Sequence, residues 1–197
     1  MKKSVTILLL SFFLIYCENT HKDNKIVQEK PVQSFLTYRM EQQKFVEIDI
    51  DLLQNFGDML NVIDTTDCRK NASLFKIETD STIYKIQHLQ FCESIFDYKL
   101  KQIIYINTDS IKVNDELSYP IDNLDGILKN HLVNEQNDEN YPSTEKRLIS
   151  IHIDESKNIK EVKKLLLNII STFNSLQMKT NFAFMFDRYG MIKEVPF

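Results

Sequence analysis

Ser150, His152 and Asp154 occupy alternate positions of one apolar stretch and are the residue types of a hydrolase triad. In a strand, alternate side chains point the same way about 7 Å apart, whereas a triad needs hydrogen-bonding contact. The spacing therefore predicts a solvated strand face opposite Ile149, Ile151 and Ile153, and no catalytic residue. Residues 122–126, Asp-Asn-Leu-Asp-Gly, would serve calcium only with oxygen ligands at the first and last loop positions, which here are Ile121 and Leu132. They predict a helix start. Asp49 and Asp51 are spaced for acid–base work, but with 28 acidic residues such pairs arise by chance. His88 precedes Cys92 by four residues, yet no C-x-x-C pair accompanies them, so no metal ligand set is expected. The glycines are Gly57, Gly126 and Gly190, too scattered for a phosphate-cradling loop or a G-x-S-x-G elbow. No cofactor is expected.

The elements that must position these residues follow from periodicity. Residues 45–51 alternate apolar and acidic side chains as a strand does, and Asp51 is placed to cap a helix carrying Leu52, Leu53, Phe56, Met59, Leu60 and Ile63. Residues 65–68 end it. Strands are expected over 74–79 and 82–91 around a turn at Asp80-Ser81. A hairpin joins 102–106 to 110–113 through Asn107-Thr108-Asp109, and a helix from Pro120 to His131 carries Ile121, Leu124, Ile127, Leu128 and Leu132 on one face. His131 reads as solvent-facing, like His21. After a polar loop over 134–146 comes a strand over 148–153. Asn158 then caps the strongest helix, with Glu161 as capping-box partner. Its stripe is Ile159, Val162, Leu165, Leu166, Ile169, Ile170 and Phe173, and its wet side is Lys160, Lys163 and Lys164. Phe182, Phe184 and Phe186 lie in a last apolar strand bounded by Asp187 and read as core. The fold class is α+β: a small mixed sheet with helices packed on one face. Its C-terminal half runs strand, strand, helix, strand, helix, strand.

Lys2 and Lys3 precede a mostly apolar run over 5–16 that ends at Cys17. Twelve helical residues rise about 18 Å, short of the roughly 30 Å bilayer core, so the run reads as a cleaved export signal. Leu14-Ile15-Tyr16-Cys17 resembles the bacterial lipobox, which implies a lipid on the Cys17 sulfur and a membrane tether through it. Tyr16 departs from the small residue that motif expects. An ordinary signal peptide and an uncleaved anchor are the alternatives. Cys68 and Cys92 then remain as a pair in an oxidising compartment, either bridged or as two buried thiols. A bridge would close a loop of about 25 residues and contribute roughly 3–4 kcal/mol. Leaving out Lys2 and Lys3 takes the formal charge from −4 to −6, which disfavours nucleic acid and anionic lipid as partners. The expected divisions are a signal over 1–16, the lipidated cysteine and a tether over 17–33, an N-terminal α+β region over 34–100 and a C-terminal domain over 101–197.

The order of elements over 102–187, with its hairpin Ile-Tyr-Ile-Asn-Thr-Asp-Ser-Ile-Lys-Val-Asn, resembles the periplasmic domain of the biopolymer-transport proteins ExbD and TolR. Members of that family carry a transmembrane helix bearing an aspartate. The run over 5–16 has no acid, so no residue here can take that role. The resemblance implies an envelope domain that recognises a protein partner or the cell wall, not an energy-transducing motor subunit. With the lipobox-like Cys17 and no catalytic motif, the expectation is a non-catalytic lipoprotein of the bacterial cell envelope, periplasmic or surface-facing. It would contact an envelope protein or peptidoglycan, pair as a homodimer and serve as an accessory to biopolymer transport. The alternative is a ligand- or peptide-binding lipoprotein of unrelated family. Helices on one side of a sheet with an open edge favour the first, and an apolar pocket near the Cys68–Cys92 loop favours the second.

Overall fold

Three parallel strands that are apolar at almost every position form the centre of the molecule, and their composition explains why. In the computed structural model, which describes residues 29–36, 44–92, 98–113, 117–134, 140, 147–176 and 182–189, β5 (Ile103–Ile106), β8 (Arg147–Ile151) and β9 (Phe182–Phe186) pair in parallel. Strands covered on both faces need apolar residues on both, and these have them. β6 (Ser110–Val113) pairs antiparallel with β5 and keeps Lys112 exposed between buried Ile111 and Val113. β7 (Leu117–Pro120) adds an outer strand, giving the order β7-β6-β5-β8-β9. The expected hairpin is present. Asn107 holds its turn by accepting from the Asp109 and Ser110 amides at 2.7 and 2.6 Å.

Residues ahead of position 100 build a second sheet in the order β1-β4-β3-β2, from β1 (Val32–Phe35), β2 (Lys44–Asp49), β3 (Asn71–Glu78) and β4 (Ile83–Gln87). β3 and β4 are antiparallel, and β1 and β2 flank them in parallel. β1 opens at Val32, ahead of the expected start of the folded region. The outer face of this sheet is a ladder of charges: Lys76 meets Asp49 at 2.9 Å and Glu78 at 3.2 Å, and Lys85 pairs with Glu47. Its inner face supplies Phe75, Ile77 and Ile86 to the same core as Ile104, Ile149, Phe184 and Phe186 of the other sheet. The stretches 34–100 and 101–197 therefore share one core.

The helices carry the remaining core. α1 (Phe56–Thr65) starts later than the expected Asp51 cap. Asp49 instead caps a short 3-10 turn, Ile50–Leu52, and Leu52 is 83% exposed. Asn55 caps α1 by accepting from Asp58 N–H at 2.9 Å, while Asp58 accepts from Gln54 N–H. The first helical amides also find distant acceptors: Phe56 N–H donates to Lys157 O and Gly57 N–H to Glu155 O at 2.8 Å. A Cβ on Gly57 would stand 3.2 Å from that Glu155 oxygen, so glycine suits the close approach. α2 (Leu124–Val133) follows Pro120 and a 3-10 turn, as the residues over 122–126 predict, and ends at Asn134 with φ 47°. α3 (Ile159–Ser175) is capped by Asn158, which accepts from Lys160 N–H at 2.9 Å. Glu161 pairs with Lys157 at 2.9 Å. The whole expected stripe of α3 is buried, and α2 and α3 lie on one face of the C-terminal sheet. The α+β class and the element order hold, with β7 as the addition.

Cys68 follows α1 and Cys92 follows the continuation of β4, with Cα atoms 5.8 Å apart, a disulfide distance. A bridge here would tie the helix exit to the end of the sheet. Urea unfolding of the oxidised chain against the Cys68→Ser/Cys92→Ser double variant is expected to show a loss of roughly 3–4 kcal/mol. Equal midpoints would mean that the thiols stay free.

Candidate functional site

The two sheets meet where β4 runs on past Gln87. His88 N–H still donates to Ser73 O of β3 at 3.0 Å, but Leu89 N–H donates to Phe184 O of β9 at 2.7 Å. The chain has changed partners and joined the other sheet. Beyond that single bridge the strands part. Gln90 turns to α1, where its Nε2 donates to Ile63 O at 3.2 Å. β9 ends with Asp187 N–H on Ile151 O, and Arg188 crosses to Asn61 and Asp64 of α1 at 3.1 and 2.9 Å and to Glu155 at 2.5 Å. The diverging strands and the second half of α1 enclose a groove of about 430 Å³. Its floor is Ile63, His88, Met185 and Phe186, and its rim holds Asp64, Arg188 and Tyr189, the last 81% exposed.

His88 is the chemically distinctive part of this groove. Its ring is buried and stacked near Phe186 at a centroid distance of 5.8 Å, and its Nδ1 accepts the Phe186 N–H at 3.1 Å. Burial pushes its pKa down to about 3, so the ring is neutral at pH 7. A neutral ring that accepts at Nδ1 carries its proton on Nε2. This arrangement makes His88 a structural acceptor for the β9 backbone. Weighing His88 only as a metal ligand missed that role.

The residues read as a triad go separate ways. Ser150 is fully buried and its hydroxyl has no hydrogen-bond partner, which corrects the expected solvated face. The cause is a second apolar layer: Leu89, Phe91 and Tyr98 cover the side of the sheet that carries Tyr105, Leu148 and Met185. β8 ends at Ile151, so His152 lies beyond it, with Nδ1 2.9 Å from Asp187 O. Asp154 accepts from the Ser156 hydroxyl and amide at 2.6 and 2.8 Å, and those bonds, the hydroxyl first, hold its carboxyl below the usual range. No Ser–His contact forms among them.

The remaining candidates are also accounted for. Asp49 and Asp51 diverge, the first to Lys76 and the second to Lys163 at 2.7 Å, so they form no acid–base pair. Asp125 accepts from the Thr172 hydroxyl across α2 and α3. His131, expected in solvent, is fully buried in α2. Its ring nitrogens have no partner in ordinary hydrogen-bond geometry, and burial, then the Arg147 charge, push its pKa to about 3 against a small opposing pull from the Leu148 backbone. Phe182, Phe184 and Phe186 are core, as expected. Among the described residues no group of three or more His, Cys, Asp and Glu could hold a metal, and no helix is long and apolar enough to cross a membrane. Cys17, the run over 5–16 and His21 lie outside the described residues. Comparison with protein-family profiles, curated proteins and solved structures gave no match.

Proposed function

We propose that this chain is a non-catalytic, lipid-anchored protein of the bacterial cell envelope that works by binding, and that it takes a peptide segment of another envelope protein in the groove. The groove between α1, the β4 continuation and the end of β9 carries this reading. It needs both halves of the chain, includes Phe91 next to Cys92, and pairs an apolar floor with a charged rim, as ligand clefts do. Anchoring follows from Cys17 and the run before it. A second reading is supported by the placement of α2 and α3 on one face of the sheet, with β7 at its outer edge. In that reading the C-terminal half contacts partner protein or peptidoglycan as an ExbD/TolR-like accessory of biopolymer transport.

Affinity capture of the tagged protein from intact envelopes tests both. A partner held in the groove is expected to fall about five-fold in recovery with Tyr189→Ala, the loss of one interface anchor, and to survive Leu52→Ala on an exposed turn outside the groove lining. The Cys17→Ser form should move from the membrane to the soluble fraction. Recovery indifferent to Tyr189→Ala would reject the groove and leave the second reading, and a Cys17→Ser form still in the membrane would reject the lipid anchor.

A further inference from the structure

We infer that His88 is the latch between the two sheets, and that a proton on its ring opens the groove along the β4–β9 seam. The seam is thin. Among the described residues the one bridge across it is His88 with Phe184, and the adjoining backbone bond is Leu89 N–H to Phe184 O. The next acceptor that a continuing strand would offer β9 comes instead from a side chain, the His88 Nδ1 that holds Phe186 N–H. A proton on Nδ1 turns that acceptor into a donor facing a donor. The closed seam would then bury both an unsatisfied amide and a cation, which is unfavourable on each count.

Nothing around the ring offsets that cost. β3 presents the Ser73 carbonyl to the His88 backbone, β9 presents Phe184 and Phe186, and α1 presents Leu60, Ile63 and Asp64. The segment after β9 brings Asp187, Arg188 and the Tyr189 phenol. The two carboxylates nearest the cation of that segment, Asp64 and Glu155, are both on Arg188. Burial alone accounts for the lowered pKa of His88, so relief comes from water reaching the ring. In an open seam the imidazole returns toward its ordinary value of 6.5. The open population then climbs with acidity and is about 30-fold greater at pH 5 than at pH 7.5. Leu89, Met185 and Phe186 are the side chains it uncovers. The latch stands on the seam itself, and if the proposed function also holds, acidity regulates access to that same groove.

Hydrogen exchange of the full chain by NMR, corrected for intrinsic rates, tests this directly. Phe186 N–H is expected to lose about 30-fold in protection from pH 7.5 to pH 5 and to exchange faster there than Ile149 N–H. His88→Asn keeps an acceptor in reach but cannot titrate, and should flatten the profile. The same loss in His88→Asn, or a Phe186 rate equal to that of Ile149 at pH 5, overturns the latch. Should that variant not fold, the imidazole ¹⁵N shifts of the unmodified protein decide. A proton on Nε2 at pH 7.5 supports the latch, and one on Nδ1 sinks it. A peptide that binds equally at both pH values would refute only the regulatory link, leaving the binding reading intact.

Discussion

Truncating Phe184 to alanine is expected to destabilise the fold by about 3–5 kcal/mol, a large part of the 5–15 kcal/mol by which domains of this size are usually stable. The ring is 1% exposed and sits among three others: Phe182 at 5.2 Å, Phe173 at 6.0 Å and Phe35 at 6.3 Å, all near edge-on. Those rings come from β9, α3 and β1, so one side chain joins the C-terminal sheet, its helix and the N-terminal sheet. Its backbone is equally committed, since Phe184 pairs with Ile149 of β8 on one side and bridges His88 on the other. A rigid neighbourhood of this kind cannot collapse into the space a benzyl group leaves, and the cavity adds to the lost transfer energy. Phe45→Ala on the outer strand β2, where the ring is 42% exposed, should cost under about 1 kcal/mol. Urea midpoints of the two variants check the contrast, and similar losses would mean that the sheets do not share a core.

The parts of this fold that could be read from the chain are those whose causes are local. Asn107 sets its own turn through contacts two and three residues on, and Asn158 and the stripe of α3 form one continuous local pattern. The start of α1 was not local. Lys157 and Glu155 supply the acceptors that fix Phe56 and Gly57, and nothing near Asp51 could announce them. β7 is four residues ending in Pro120, which lacks an amide and suits an outer strand, so it carried almost no pattern. β1 straddles the expected end of the tether at 33, because Val32 and Phe35 are its only large apolar residues and its partner is β4, far along the chain.

The site was less legible for a related reason. Ser150 alternates with isoleucines and so looks solvent-facing, but β8 is covered on both sides and alternation no longer reports exposure. The groove depends on β4 leaving one sheet for another, an event with no periodic trace. His131 is different, because the signal was there. Leu124, Ile127, Leu128 and His131 follow the helical spacing that places all four on the buried face. Reading the residue type ahead of its position put it in water.

That buried pair of histidines should make the protein labile to mild acid, with a loss of up to about 5 kcal/mol between pH 7.5 and pH 4.5. Both have folded pKa values pushed to about 3, His88 by burial and His131 by burial followed by the Arg147 charge. The folded chain therefore keeps both rings neutral while the unfolded chain takes up protons near 6.5. Above 6.5 neither state is protonated and the full stability is present. As pH falls from 6.5 toward 3 the unfolded state is favoured, and each ring accounts for at most about 3 kcal/mol by pH 4.5. The carboxylates with lowered values, Asp49 through Lys76, Asp67 through Lys70, Glu78 through Lys30 and Lys76, and Asp154 through Ser156, lose their partners' help mainly below their ordinary values of 3.8 to 4.5, so the window belongs chiefly to the histidines. The two shares differ in kind. His88 sits on a seam that can open and let its proton in, so its contribution is limited by the free energy of opening. His131 is fully buried on α2, with its carbonyl held by Arg147 Nε at 2.8 Å, and is expected to carry its share in full. Urea titrations at pH 7.5, 6 and 4.5 should show His131→Leu removing at least half of the slope. A slope untouched by that variant would place the acid-sensitive group elsewhere.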